Sequence, residues 1–228
     1  MKIVCVIPAR GGSKGVKNKN IALVNNQPLI SYSILDALRT QSINKTYVST
    51  DSEKIGQIAL KYGAEVPFLR PIKYSKSDSL DLEWALHFLK WYKAYYGDHP
   101  EYIVHLRATT PFRDINVIEE AIQKISKNEQ ATSLVSVEKA EEVYKALSIN
   151  GEGFFTSVFD NLDYHLMPRQ SFPKTYLANG YVDILKSKTL LENTFHGDRI
   201  LPFITDNTIE IDNKKDLDYA RYVASFIY

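Results

Sequence analysis

Hydrophobic positions along the chain recur in two periods, and their alternation outlines the elements. Residues 2–8 read KIVCVIP, a short β-branched run ending in proline, and Ala9-Arg10-Gly11-Gly12-Ser13 follows. Such a run closed by glycines predicts a buried strand entering a loop. From Pro28 onward Leu29, Ile30, Ile34, Leu35 and Leu38 recur at helical spacing, and proline suits a first helical turn. Residues 46–50 predict a second strand, stopped by Asp51-Ser52. The next helix groups Ile55, Ile58, Ala59 and Tyr62 and stops at Gly63, a residue suited to a C-terminal cap. Residues 65–69 predict a third short strand, and 80–96 an amphipathic helix carrying both tryptophans, closed by Gly97-Asp98. Residues 102–106 predict a fourth strand, followed by a loop over 107–113 and a helix over about 116–126.

Strand and helix alternating in this way predict an α/β fold, a Rossmann-like and mostly parallel sheet with helices on both faces. Ligands of such sheets bind beyond the carboxyl ends of the strands. The loops after the first and fourth strands, ARGGSKG and RATTPFR, are therefore the first candidates for a site. From about residue 131 the rhythm changes. Residues 132–137 and 144–149 predict strands joined by an acidic turn, 151–153 a second turn, and 160–174 an irregular aromatic stretch. A strand over 181–185 and a closing helix over 214–226 follow, the latter turning Leu217, Ala220, Val223 and Ala224 inward. The stretch from about 138 to 174 reads as a β-rich flap inserted into one domain spanning 1–228.

Composition narrows the class without naming a chemistry. The chain has 228 residues, 44% apolar and 24% charged, with 28 basic against 27 acidic side chains. That balance fits a globular protein and gives no global reason to expect nucleic acid or an acidic membrane as partner. No apolar run approaches the length needed to span a bilayer, and Arg10 follows too soon after the first apolar stretch for a secretory leader. The single cysteine excludes an internal disulfide framework and fits a reducing, cytoplasmic setting. The five histidines show no ligand spacing, Cys5 sits in a buried run, and Trp84, Phe88 and Trp91 at helical spacing read as core.

Charge placement says more than the total. The first 35 residues carry Lys2, Arg10, Lys14, Lys17 and Lys19 and no acid, whereas 206–218 carry five acids. Gly11 and Gly12 let backbone N–H groups approach an anion, and Arg10, Lys14 and Lys19 surround them with fixed positive charge suited to a phosphate chain. Neither the GxGxxG nor the GxxxxGK[ST] pattern is present. Near the other end Glu210 and Asp212 stand two apart, so in an extended segment both face one side. That spacing alone describes a solvent-facing strand edge as well as a metal site.

IPARGGSKGVKNKNI over residues 7–21 closely resembles the N-terminal signature of the CMP-sialic acid synthetases, the acylneuraminate cytidylyltransferases. The resemblance continues in order through VSTD (48–51), FLRP (68–71), TTPFR (109–113), PRQ (168–170), NG (179–180) and EID (210–212). It implies a nucleotide-diphospho-sugar transferase type of fold with a dimerisation flap. It also implies a reaction in which the anomeric hydroxyl of a nine-carbon 2-keto sugar acid attacks the α-phosphorus of CTP, giving a CMP-sugar and pyrophosphate. By the same resemblance Arg10, Lys14, Lys19 and Asp212 are the catalytic candidates. Ala9, Arg10, Gly11, Gly12, Ser13, Lys14, Lys19, Asn20 and Arg70 are expected around the nucleotide. Arg107, Thr109, Thr110 and Asn179 are expected around the sugar, with Lys145 and Arg169 reaching the site of a neighbouring subunit in a homodimer. Glu210 and Asp212 are expected to hold magnesium, with manganese as the alternative.

The chain departs from the sialic-acid members at two places. Arg107 stands where they usually have glutamine, and Asn179-Gly180-Tyr181-Val182-Asp183 replaces Asn-Gly-Ala-Ile-Tyr. Both patterns look more like the branch that activates legionaminic acid, a bacterial 5,7-diamino relative of sialic acid. The alternatives are a cytidylyltransferase for the eight-carbon acid of lipopolysaccharide core, and a non-catalytic nucleotide-binding regulatory subunit.

Overall fold

In the computed structural model, which describes residues 2–13, 15–206 and 208–227, the first strand already shows how the layers are sorted. β1 (Ile3–Pro8) sends Ile3, Cys5 and Ile7 to one side and Val4 and Val6 to the other, all of them buried. A central strand of an α/β sheet is covered on both faces, so its residues are apolar without alternation. After it come a small hairpin of β2 (Leu23–Val24) and β3 (Gln27–Pro28), α1 (Leu29–Arg39), β4 (Lys45–Ser49) and α2 (Glu53–Lys61). α3 (Asp81–Tyr96), β5 (Tyr102–His105), α4 (Ile115–Ser126) and β6 (Ser133–Ala140) continue the pattern. A hairpin of β7 (Leu147–Ile149) and β8 (Phe155–Ser157) leads to β9 (Thr175–Lys186), α5 (Ser187–Leu191), β10 (Ile200–Ile204) and α6 (Lys214–Ile227).

Among the described residues the main sheet has the order β10-β6-β9-β5-β1-β4. β4, β1 and β5 are mutually parallel, as are β10 and β6, while β9 runs antiparallel to both β5 and β6. One face carries α1, α2 and α4, whose Ile30, Ile34, Ile55, Ala59, Ile118 and Ile122 pack on Ile3, Cys5 and Ile7. The other carries α3 and α5, with Trp84, Phe88, Leu89 and Leu190 against Val4, Val6 and Ile103. A third cluster joins α1 to α6 through Leu29, Tyr32, Leu217, Ala220 and Ala224. The expected mostly parallel sheet with helices on both faces is thus present.

Several local expectations need correction. Residues 65–69 form only two isolated parallel bridges, Tyr47 to Glu65 and Thr50 to Leu69, because Pro67 lacks the N–H that a ladder requires. α1 does not bury a simple stripe: Leu38 is 47% exposed, while Ser31, Ser33 and Asp36 are buried. Covered by the sheet on one side and α6 on another, it has room for a buried polar residue wherever a hydrogen bond is available. Residues 143–145 form a 3-10 turn, so the strand expected at 144–149 shrinks to β7. β9 is longer than expected and inverted, and β10 was not anticipated. Between them β6 and β9 carry a bulge near Val135 and Val137. Residues 138–174 leave the sheet at the end of β6 and return in β9, passing through the β7–β8 hairpin and three 3-10 turns. Tyr144, Phe159, Tyr164 and Phe172 pack together there, with Tyr144 and Phe172 stacked at 5.2 Å.

Candidate active site

A cleft opens beyond the carboxyl ends of β1 and β5, where the fold class places its ligands. It has two adjoining lobes of about 270 and 430 Å³ that share Pro8, Arg10, Asn20, Arg107 and Thr109. The smaller lobe adds Arg70, the hydroxyl-rich segment around Ser75 to Ser79, Asp81, Trp84 and His105. The larger adds Ser13, Gly15, Lys19 and Asp212.

The loop after β1 is held open by specific bonds rather than by packing alone. Ala9 is buried and donates its N–H to the Ser49 carbonyl at 2.9 Å. Gly11 N–H donates to Asp51 Oδ1 at 2.8 Å, and a Cβ on Gly11 would stand 3.1 Å from Ser52. A Cβ on Gly12 would meet nothing within 4 Å, so that part of the backbone stands clear. Arg10 donates from Nη1 to the Lys76 carbonyl at 2.8 Å, and buried Asn20 donates from Nδ2 to the Arg10 carbonyl at 2.9 Å. Lys14 lies outside the described residues. Gly15 is present for a steric reason: a Cβ there would fall 2.2 Å from the Asp212 carbonyl oxygen. The front loop and the rear segment of the chain therefore touch.

That contact is also ionic. Lys19 Nζ stands 2.9 Å from Asp212 Oδ1, with the lysine side chain 15% and the aspartate 71% exposed. Ile211 anchors the rear segment, being fully buried and donating its N–H to the Thr109 carbonyl at 2.9 Å. With Ile211 turned inward, its neighbours Glu210 and Asp212 reach Arg107 and Lys19 at the cleft. Their oxygens are the hard donors that magnesium takes, and a pair of carboxylates completed by phosphate oxygens is a usual set for it. Among the described residues no group of three or more His, Cys, Asp or Glu could hold a metal, so substrate oxygens would have to complete the shell. The residues present fit a substrate-completed magnesium site and do not fit a metal held by protein alone.

Arg107 sits where the two halves of the sheet meet. Its Nη1 is 3.4 Å from Glu210 Oε1 and its Nη2 is 3.9 Å from Asp183 Oδ2. Gly180, at φ +66°, passes beneath it, and a Cβ there would come within 2.7 Å of Arg107 Cδ. Arg113 fixes this corner from below. Buried, it donates to the carbonyls of Tyr181 (2.5 Å), Arg107 (3.0 Å), Gly180 (3.3 Å) and Thr110, and to Ser33 Oγ (2.9 Å). Its burial lowers its pKa to about 10, opposed by the nearby Asp36 carboxylate, so it stays charged at neutral pH. Arg70 is buried too and donates from Nε to Ser75 Oγ at 2.9 Å. Burial lowers its pKa, against the attraction of Asp51 and Asp81.

Of the residues expected at the site, Arg10, Ser13, Lys19, Asn20, Arg70, Arg107, Thr109 and Asp212 line the cleft, and Glu210 joins through Arg107. Thr110 is fully buried, Asn179 is buried and donates to Thr205 Oγ1 at 2.7 Å, and neither is among the residues lining the two lobes. Lys145 and Arg169 lie on the flap, paired with Glu142 and Glu141. Sequence reasoning missed Ser79 and Asp81 in the smaller lobe and read Trp84, which also lines it, as core. The hydroxyl-rich run Lys73-Tyr74-Ser75-Lys76-Ser77-Asp78-Ser79 before α3 was the available signal.

The cytidylyltransferase family model matches residues 4–152. The N-acylneuraminate cytidylyltransferase of Escherichia coli O18:K1:H7 is 33% identical over 96% of this chain, which spans 51% of that longer protein. The CMP-N,N'-diacetyllegionaminic acid synthase of Campylobacter jejuni serotype O:2 is 32% identical over 96% of this chain and 92% of its own length. The chain thus spans about half of the first relative and nearly all of the second. Among solved structures, a CMP:2-keto-3-deoxy-manno-octonic acid synthetase complexed with CTP superposes at a TM-score of 0.73, covering all of both chains at 14% identity. That likeness speaks for the fold. The matched family model and a relative of similar length at 32% identity lead to one assignment: the chain belongs to the cytidylyltransferase family.

Proposed function

We propose that this chain transfers CMP from CTP to the anomeric hydroxyl of a nonulosonic acid, of neuraminic or legionaminic type, and releases pyrophosphate. One observation carries the reading: Lys19 and Asp212, from opposite ends of the chain, meet at 2.9 Å across one lobe of the cleft. A cation that faces phosphate and a carboxylate that faces a metal are thereby brought together on the same substrate. Arg10, Lys19 and the backbone around Gly12 bind the triphosphate and stabilise the charge that grows on departing pyrophosphate. Asn20 and Arg70 bind the nucleoside in the smaller lobe, and Arg107 and Thr109 orient the sugar acid beside it. Holding both substrates in one cleft converts the encounter into an intramolecular one. Glu210 and Asp212 would hold magnesium, or manganese, which when bound lowers the pKa of a coordinated hydroxyl and neutralises phosphate charge.

The flap supports a homodimer in this reading. Lys145 and Arg169 stand away from the cleft of their own chain, and Ile149, Phe154, Phe155 and Leu166 are all more than 60% exposed. Exposed apolar side chains grouped in this way mark an interaction surface. Cys5, fully buried with its thiol pKa pushed up by burial, fits a reducing cytoplasmic setting without depending on it. No helix among the described residues is long and apolar enough to cross a membrane. Pyrophosphate release from CTP and magnesium, measured across neuraminic, legionaminic, pseudaminic and deaminated acids, tests the function. Release with at least one nonulosonic acid is expected; none with any of them refutes it.

A further inference from the structure

Asp212 carries its carboxylate on a stretch of chain that the sheet does not hold. Residues 208–212 belong to neither a helix nor a strand. Ile209 and Ile211 pack into the cluster between α1 and α6, while Glu210 and Asp212 reach Arg107 and Lys19 at the cleft. With its side chain 71% exposed, Asp212 has little packing of its own. Once Lys19 turns to phosphate, the place of that carboxylate depends on the backbone that bears it.

Two contacts fix this backbone. The Asp212 carbonyl lies against Gly15, where a Cβ would fall 2.2 Å from its oxygen. The Asp212 N–H donates to Asp216 Oδ2 at 2.8 Å. That same oxygen accepts the Asn213 N–H at 2.9 Å, and Asn213 Oδ1 accepts the N–H groups of Lys215 at 2.8 Å and Asp216 at 3.2 Å in return. The exchange between Asn213 and Asp216 is the reciprocal capping that starts a helix, here α6. The bond to Asp212 lies one residue outside it and serves none of the helix's own leading donors. Capping therefore accounts for one bond of Asp216 and leaves the other unexplained.

Asp216 is well placed to hold its neighbour still. The next residue, Leu217, is buried and packs with Ile211 in one cluster, so the helix start and the rear segment share an apolar anchor. A carboxylate accepting from backbone N–H groups makes charge-assisted bonds, stronger than neutral ones. Partners that orient a metal-holding side chain from behind commonly set its affinity for the ion. We propose that Asp216 is a positioning residue: by accepting the Asp212 N–H, it fixes the backbone from which the Asp212 carboxylate meets a divalent ion and the triphosphate. The inference rests on the cytidyl-transfer reading and adds to it a residue outside the lining of the cleft.

The test measures the equilibrium Kd for CTP by calorimetry, once with magnesium and once with EDTA, beside the magnesium dependence of pyrophosphate release. Magnesium is expected to tighten CTP at least about fivefold in wild-type protein, because two ligands that share a site are coupled. Asp216 is only partly buried and alanine favours a helix, so Asp216→Ala is expected to fold. That variant is expected to bring the ratio to within about twofold, with the Kd in EDTA unmoved. Half-saturating magnesium in it is expected to rise by about 10–100-fold. Asp216→Asn keeps an acceptor oxygen for both N–H groups and is expected to retain most of the wild-type coupling. Asn213→Ala removes the helix cap but leaves the bond from Asp212 to Asp216, so the melting temperature is expected to fall while the ratio stays. A wild-type ratio in Asp216→Ala overturns the inference, as does wild-type CTP binding indifferent to magnesium. An equal loss in Asn213→Ala overturns it by assigning the effect to fraying of α6, and an equal loss in Asp216→Asn by assigning it to charge. Absence of pyrophosphate release by wild-type protein with any acid sinks the cytidyl-transfer reading, whereas unchanged coupling in Asp216→Ala of a working enzyme sinks the inference alone.

Discussion

Replacing Lys19 by alanine separates a catalytic role from a structural one because the two predict very different magnitudes. The Lys19–Asp212 pair is well formed at 2.9 Å, but Asp212 is 71% exposed. A pair open to solvent on one side contributes only about 0–1 kcal/mol to folding. For a chain of this length a loss of about 1 kcal/mol lowers the melting temperature by about 2–4 °C. If Lys19 holds the departing pyrophosphate, its removal deletes a charged donor to the developing negative charge. Loss of one such donor typically costs about 10²–10³ in turnover, equivalent to about 2.7–4 kcal/mol. Lys19→Ala is therefore expected to lose at least about a hundredfold in kcat for pyrophosphate release, with melting within a few degrees of wild type. Asp212→Asn should be comparably impaired, and the double variant much less than the product of the two, because both act on the same reacting groups. Turnover within about threefold of wild type in Lys19→Ala, or a loss matched by collapse of the melting curve, would refute the reasoning.

Gly180→Ala should harm both fold and site: the residue sits at φ +66°, where a side chain costs about 1–2 kcal/mol, and its Cβ would stand 2.7 Å from Arg107 Cδ. A melting temperature several degrees lower and a raised KM for the sugar acid are expected, while an unaltered KM would show that Arg107 tolerates displacement. Asp36, 4% exposed in α1, has its pKa raised by burial from 3.8 to about 6, against the pull of Arg113 and Arg39. The folded protein then binds this proton more tightly than the unfolded chain, so the contribution to stability is complete below about pH 4 and lost as pH rises through 6. The shift corresponds to at most about 3 kcal/mol. Asp36→Asn should accordingly gain stability relative to wild type between pH 4 and pH 7 in denaturant melts, and a pH-independent difference would contradict the assignment.

The front of the cleft was readable along the chain because its parts are neighbours in sequence. A β-branched strand, two glycines and flanking cations lie within residues 3–19, and local rules suffice to join them. The buried face of α2 was equally legible, since a helix that packs on one side keeps its periodicity. β10 escaped notice because Pro202 sits within ILPFI, a feature that argues against a central strand. In the fold that strand is the sheet's edge, where proline is tolerated. Nothing local revealed that β9 is inverted, because strand direction is set by the connection through the flap rather than by residue pattern.

Periodicity, glycine chemistry and local charge thus determined the α/β class, the basic loop and the two carboxylates near the chain's other end. Only the tertiary structure decided that Lys19 meets Asp212, that Thr110 and Asn179 are buried, and that Asp183 stands behind Arg107 and His105. The physical reason is range. Backbone preferences and apolar periods act over a few residues, whereas these contacts join distant segments and exist only once the sheet has put its strands in order.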